Sequence, residues 1–379
     1  MSNTQHMGIL QVLPRLDTGG VEQVVIELTA AVSRAGYRAL VASAPGKLVP
    51  FVERAGGEHF SMDLASKNVL RMAWNGDQLA RLIRGQQVAL VHAHSRVPTF
   101  AARSAARQGK IPLVTTYHGA YSDSGAFKRR YNSIMAAGDR VIAVSNFIAD
   151  LVRERHNVSD DRLRIVPGGV DPSRFDPDAV NDGRVEHLAR SWRLPDGVPT
   201  IMLPARLTSW KGQEVMIRAL ASMRHRDPVL LLVGSAQGRE TYVKMLTELA
   251  RKLNIAGRVL FTGDVIDMPA AYKLADVVVN ASTDPEAFGR TIVEAQAMRR
   301  MVIVTDHGAA RETVRDGQTG WRVKPGDPDA LAAVIDSALD LPVSTRIALG
   351  IAARTYVSEY YSTSAMQAGT IAVYQELLG

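Results

Sequence analysis

Short, almost unbroken apolar runs alternate along the chain with longer stretches of helical period. Ile9 to Leu13, Arg38 to Ala44, Val88 to Ala93, Leu113 to Tyr117, Arg140 to Val144 and Leu163 to Val166 read as strands buried on both faces. Between several of them lie amphipathic segments, of which Val21 to Ala35, closed by Gly36, is the clearest helix. The rhythm then restarts at Ile201 to Leu203 and continues through Val229 to Val233, Val259 to Thr262, Val277 to Asn280 and Val302 to Thr305. Such alternation predicts a doubly wound parallel sheet, and its recurrence predicts two of them, with strand ends facing a ligand-binding cleft. Pro167-Gly168-Gly169 through Pro199 is rich in Pro, Gly and Asp and reads as the linker, with a short helical piece near Val185 to Trp192. The tail, Ser364 to Leu378, reads as a helix that either caps the second domain or packs back on the first.

The chain length of 379 residues suits two domains, and its 46% hydrophobic and 22% charged content is that of a globular protein. No apolar run is long enough to span a bilayer, and Met1 to Gly8 lacks the pattern of a secretory leader. With no cysteine, disulfides and thiolate metal sites are excluded. Residues 1–178 carry six of the seven net positive charges, so the first half is the side expected to meet an anionic partner. Arg96, Arg103, Arg107 and Lys110 fall on one side of a helix running from Val97 to Gly109, and Lys128-Arg129-Arg130 adds a second cluster. These suit either docking on anionic lipid or a phosphorylated acceptor, or a solvated helix face. No nucleic-acid motif accompanies the charge, so no nucleic-acid partner is expected.

The chemistry-bearing stretch is Ser282 to Met298. Glu286 falls in a strand-to-helix loop and Glu294 about one turn into the following helix. Between them the backbone amides of Phe288, Gly289 and Arg290 open that helix and form an anion site. A carboxylate on each side suits hydroxyls flanking a bound phosphate. The spacing alone also fits an ordinary loop carboxylate and a first-turn Glu. Arg206 and Lys211 lie five positions apart in a loop closed by Gly212, a spacing that lets both reach one diphosphate and that also fits ordinary surface charge. Gly19-Gly20 at a helix start permits close approach of a ligand to the backbone. His118 stands at a strand end beside Gly119. His92 and His94 share one strand face, but no third ligand stands out, and no metal is expected. Two Asp-x-Asp matches, Asp176 to Asp178 and Asp327 to Asp329, read as structural turns.

Gly19-Gly20-Val21-Glu22, His118-Gly119, Val144-Ser145-Asn146, Arg206 with Lys211-Gly212, Gly263-Asp264-Val265, and Glu286-Ala287-Phe288-Gly289 with Glu294-Ala295 together resemble the retaining glycosyltransferases of family 4, which have the GT-B fold. The pieces run in the family's order over nearly the whole chain. The resemblance implies two Rossmann-like domains, residues 1–180 with the tail 362–379 on the acceptor side, and residues 181–361 binding the donor. It implies Glu286 on donor-sugar hydroxyls, Phe288 and Gly289 giving backbone contacts, Arg290 at the phosphate, Glu294 on the ribose, and Arg206 and Lys211 on the diphosphate. His118 would lie against the donor sugar, Gly20 would admit the phosphate and acceptor, and Gly234 and Val265 would lie near the nucleotide.

The implied reaction is metal-independent transfer with retention, from a UDP-, GDP- or ADP-sugar to a glycan or lipid-linked acceptor. A donor phosphate oxygen would take the acceptor's proton. No cofactor beyond the donor is expected. The resemblance extends to bacterial lipopolysaccharide and surface-glycan enzymes, with a cytoplasmic location or a peripheral one on the inner membrane face. A sugar-nucleotide epimerase and a non-catalytic sugar-nucleotide binder are the rivals on the same fold. The family often has Pro-Asn-Gly-Val-Asp where this chain has Pro167-Gly168-Gly169-Val170-Asp171, and Gly where it has Ala205.

Overall fold

The computed structural model describes residues 7–122 and 125–379; residues 1–6, part of the stretch read for a leader, lie outside them. The chain forms two compact units. One runs to Gly168 and takes in Thr363–Gly379; the other is Gly169–Ser362.

The first unit is built on seven strands: β1 (Gly8–Arg15), β2 (Arg38–Ala44), β3 (Gly57–Ser61), β4 (Val88–Ala93), β5 (Leu113–Tyr117), β6 (Arg140–Ala143) and β7 (Leu163–Ile165). Their order is β3-β2-β1-β4-β5-β6-β7, and every pairing is parallel. Strand order therefore reverses between β1 and β4, which is where open α/β sheets bind ligands. The helix Gly20–Arg34 buries Val24, Val25, Leu28, Val32 and Thr29 on the sheet. The tail helix, Thr363–Leu378, shares that layer through Met366, Val373 and Tyr374, and full burial of a side chain such as Met or Val contributes about 1.5–3 kcal/mol. Of the two placements read for the tail, packing on the first unit is the one adopted. Glu376 fastens it by accepting from Arg140 at 2.9 Å and Arg164 at 2.7 Å.

The second unit has six strands: β8 (Thr200–Pro204), β9 (Val229–Val233), β10 (Val259–Gly263), β11 (Val277–Asn280), β12 (Met301–Thr305) and β13 (Trp321–Val323). The order β10-β9-β8-β11-β12-β13 is again all parallel, and reverses between β8 and β11. The core gathers Ile201, Leu203, Leu230, Leu232, Val277, Val279 and Ile303 from the strands against Met216, Ile217 and Leu220 of the helix Gln213–Ser222. Both Asp-x-Asp matches are local devices here. Asp327 caps the helix Pro328–Leu339 by accepting from Ala330 N at 3.0 Å, and Asp178 pairs with Arg299 at 2.7 Å.

Candidate functional site

The reversal between β8 and β11 brings two loops together. The loop after β8 carries Arg206 to Gly212; the loop after β11 carries Ala281 to Gly289. They are stitched by Thr283 N donating to the Trp210 carbonyl at 2.8 Å. Gly212 makes the approach possible. Its φ is +73°, and a Cβ there would fall 1.8 Å from the Ala281 carbonyl oxygen.

Across this junction Lys211 Nζ donates to Glu286 Oε1 at 2.5 Å, with side-chain exposures of only 16% and 13%. The same oxygen accepts from Ser282 Oγ at 2.6 Å and Asn280 Nδ2 at 3.2 Å. Burial pushes the Glu286 carboxyl up. The Lys211 charge and the three donors outweigh that, and its pKa settles below the ordinary value, so it is a carboxylate. Lys211 also lies 4.1 Å from the Trp210 ring centroid. The Glu286 loop is braced from β12. Thr305 Oγ1 and His307 Nε2 each reach the Ser282 carbonyl at 2.9 Å, and Ala309 N donates to Glu286 O at 3.0 Å. Gly308, at φ +59°, passes so close that a Cβ would meet Glu286 O at 2.6 Å.

Gly289, at φ +88°, caps the helix Arg290–Ala297. Within it Glu294 accepts from the buried Tyr272 hydroxyl at 3.0 Å and lies 3.7 Å from Arg290. Burial first, then the Glu294 charge, holds the Tyr272 phenol well above its ordinary pKa, so the hydroxyl stays a donor. Phe288 is buried, its ring 5.7 Å from Tyr361. Arg206 is exposed, and its carbonyl is held by Gln213 at 2.9 Å. Gly234 has a local reason to be Gly: at φ +141° its Cβ would strike the Ala205 carbonyl at 2.3 Å. Val265 is half-buried in the loop after β10.

Lys211 and Glu286 are thus brought together, as are Arg290 and Glu294. Reading the sequence missed Asn280, Ser282, His307 and Gly308. Asn280 was the visible signal, a polar residue closing an apolar strand. Gly20 and His118 belong to the first unit. Gly20 opens the helix Gly20–Arg34 at the surface, and His118 lies at the end of β5, 3.1 Å from His94. His92 and His94 are hydrogen-bonded within the fold, to Tyr374, Thr116, Gln11 and His118. Among the described residues no group of three or more His, Cys, Asp or Glu is arranged to hold a metal.

The basic face of the helix Arg96–Gly109 is narrower than its spacing predicts. Arg107 and Lys110 are exposed and Arg103 half-buried. Arg96 turns inward, stacking 4.1 Å over Tyr121 and donating to Asn132 at 2.8 Å. No helix among the described residues is long and apolar enough to cross a membrane.

A family model described as Glycosyl transferases group 1 matches residues 185–356, and one described as Glycosyltransferase Family 4 matches residues 18–174. The D-inositol 3-phosphate glycosyltransferase of Salinispora arenicola is 31% identical over 314 residues, 76% of this chain and 68% of that protein. Across four relatives of that name the match spans 55% to 68% of their own length. A solved glycosyltransferase from Rickettsia africae superposes with a TM-score of 0.89, 34% identity and 98% coverage of both chains. Anabaena Alr3699/HepE, solved in complex with UDP and glucose, superposes with a TM-score of 0.86 over 98% of this chain and 100% of its own. At 24% identity that likeness is one of fold.

Proposed function

Since the chain belongs to the group 1 and family 4 glycosyltransferases and has their GT-B fold, we propose that it moves a sugar from a nucleoside-diphosphate sugar to a glycan or lipid-linked acceptor, with retention and without a metal. The observation that carries this reading is the Lys211–Glu286 pair at the β8/β11 reversal. A cation held at the mouth of a parallel sheet, beside the start of the helix Arg290–Ala297, suits a diphosphate. In this reading Lys211 turns from Glu286 to the phosphate when the donor binds. Glu286, still fixed by Ser282 and Asn280, then accepts from sugar hydroxyls.

Arg206, exposed in the same loop, adds a second cation, and Arg290 and the amides of Phe288 and Gly289 complete the phosphate site. Glu294, oriented by Tyr272, takes the ribose, with Gly234 and Val265 near the nucleotide. Charge developing on the departing phosphate is met by groups already in place, which is how such sites lower a barrier. Gly20 and His118 keep the roles that the resemblance implies for them, at the donor phosphate and sugar. A binding site for UDP or UDP-glucose in HepE, and the inositol phosphate in the Salinispora relative's name, support a nucleotide donor and a phosphate-bearing acceptor here.

The acceptor belongs on the basic first unit, and its class is that of bacterial surface glycans such as lipopolysaccharide. Exposed Val69, Leu70 and Trp74 open the helix Val69–Gly85, with Arg71 4.5 Å over the Trp74 ring. Phe127 is exposed beside Lys128-Arg129-Arg130. Apolar tips among cations suit a cytoplasmic protein resting on an anionic membrane. Two measurements test the reading. A thermal-shift panel of UDP-, GDP- and ADP-sugars should show one stabilising donor, and its anomeric configuration should persist in the product. No stabilisation by any donor, or an inverted product, would refute it.

A further inference from the structure

Ser282, just past the end of β11, is completely buried, and each of its polar groups is engaged. Its N–H donates to Asn280 Oδ1 at 3.1 Å and its Oγ to Glu286 Oε1 at 2.6 Å. Its carbonyl accepts twice, from Thr305 Oγ1 and from His307 Nε2, each at 2.9 Å. One donor is enough for a buried carbonyl. This one has two, both from the end of β12.

The acceptors place the hydrogens. A carbonyl only accepts, so Thr305 gives its single O–H to Ser282 O, and His307 carries a hydrogen on Nε2. Thr305 Oγ1, 3.0 Å from the same Nε2, has lone pairs left to share that hydrogen. Burial lowers the His307 pKa more than Ser282 O, Glu286 and Asp284 raise it, and Arg311 adds to the lowering, so the ring is neutral at pH 7. Glu286, in turn, is held by one oxygen. Lys211, Ser282 and Asn280 all donate to Oε1. Among the described residues none donates a hydrogen bond to Oε2, which keeps contact with solvent.

We propose that Thr305 and His307 are positioning residues: acting through Ser282, they clamp the Glu286 carboxylate by Oε1 and leave Oε2 as the oxygen that meets the donor sugar. The proposal deepens the reading above and rests on the assignment of Glu286 to sugar hydroxyls. In that reading Lys211 leaves Glu286 for the phosphate. Oε1 then keeps only Ser282 and Asn280, and the two donors from β12 hold Ser282 in place. The clamp therefore matters most once the donor is bound. An oxygen that only accepts, fixed at one angle, selects a hydroxyl pointing at it. It disfavours a sugar in which that hydroxyl is absent or inverted.

The test is calorimetric titration of the full chain with paired probes: UDP and UDP-glucose, GDP and GDP-mannose, ADP and ADP-glucose. The pair that binds wild type is carried forward. Thr305→Val with His307→Leu removes both donors at nearly constant volume. It should bind the nucleoside diphosphate as wild type does and lose about tenfold in affinity for the matching sugar nucleotide. Thr305→Val with His307→Gln, which returns an N–H near the place of His307 Nε2, should regain most of that loss. His307→Leu alone leaves Ser282 O one donor, and should show the same pattern at about threefold even where the double variant does not fold. Unchanged affinity for both probes, or an equal loss for both, would overturn the proposal. Wild-type affinity for the sugar nucleotide in Glu286→Ala would instead overturn the assignment of Glu286 to the sugar.

Discussion

The two units share one strand order and place opposite chemistry at its reversal. Between β8 and β11 stand a lysine and a glutamate, nearly buried and paired at 2.5 Å. Between β1 and β4, and on to β5, stand an amide and linked imidazoles, of which His92 and His94 are fully buried and held neutral. Burying an ion is costly unless an opposite charge and further donors accompany it, and Glu286 has Lys211, Ser282 and Asn280. The histidines avoid the cost by staying neutral. Topology fixes where a ligand is met, and the loop residues decide whether it is met by charge or by neutral hydrogen bonds.

The largest effect expected from breaking this contrast is on turnover. Lys211→Ala and Glu286→Ala should each lower kcat by about 100- to 1,000-fold, read by donor-consumption assay, while circular dichroism stays native. Near-normal rates in both would remove the charged site from the account.

Next in size is the joint that lets the charges meet. Gly212→Ala puts a methyl 1.8 Å from a carbonyl at φ +73° and should cost about 3 kcal/mol in denaturant unfolding. Gly289→Ala, at φ +88° in open space, should cost only about 1 kcal/mol, the strain of a Cβ in the left-handed region. Equal costs would mean that the loop junction is not tight.

The contrast also carries a pH signature. His92 and His94 have depressed pKa values in the fold, so their contribution is complete above the unfolded value of about 6.5 and is lost as pH falls below it. Each can remove up to about 1.4 kcal/mol per pH unit in that window. The depressed Glu286 also contributes above its unfolded value, about 4.3, and is lost only as pH falls further, through its folded pKa. The second unit has one histidine of this kind, the half-buried His307, lowered mainly by burial. Hydrogen exchange at pH 7 and pH 5 should therefore show β4 and β5 losing more protection than β8 and β11. The reverse order would contradict the neutral-histidine assignment.

The smallest effect belongs to the tail. Hydrogen bonds from Arg164, then Arg140, pull the Glu376 carboxyl down to about 2, but the pair network is open to solvent. Glu376→Gln should cost no more than about 1 kcal/mol, seen as a small drop in Tm.

The central strands of both sheets were legible because they are continuous apolar runs buried on both faces. The edge strands β3 and β13 were not. Gly57–Ser61 holds only one large apolar residue, Phe60, and none of its residues is fully buried, and Trp321–Val323 is three residues long. Glu286 and Lys211 were legible as loop residues at strand ends. Their bracing by Thr305, His307 and Gly308 was not, because it depends on which strand lies beside which. The same limit hid the Gln11–His94–His118 chain, although a Gln inside the apolar run of β1 was its trace in the sequence. Arg96 read as one of four cations on an exposed face. Its place at the first helical position turns it onto Tyr121, an attraction that spacing does not encode.

The central claim is that the Lys211–Glu286 pair marks where a donor diphosphate binds. Calorimetric titration of UDP, GDP and ADP into the wild type, Lys211→Ala and the surface control Arg218→Ala tests it most directly. One nucleotide should bind the wild type and Arg218→Ala equally and lose about tenfold or more in affinity, about 1.4 kcal/mol or more, in Lys211→Ala. Equal affinity in all three proteins would contradict the claim.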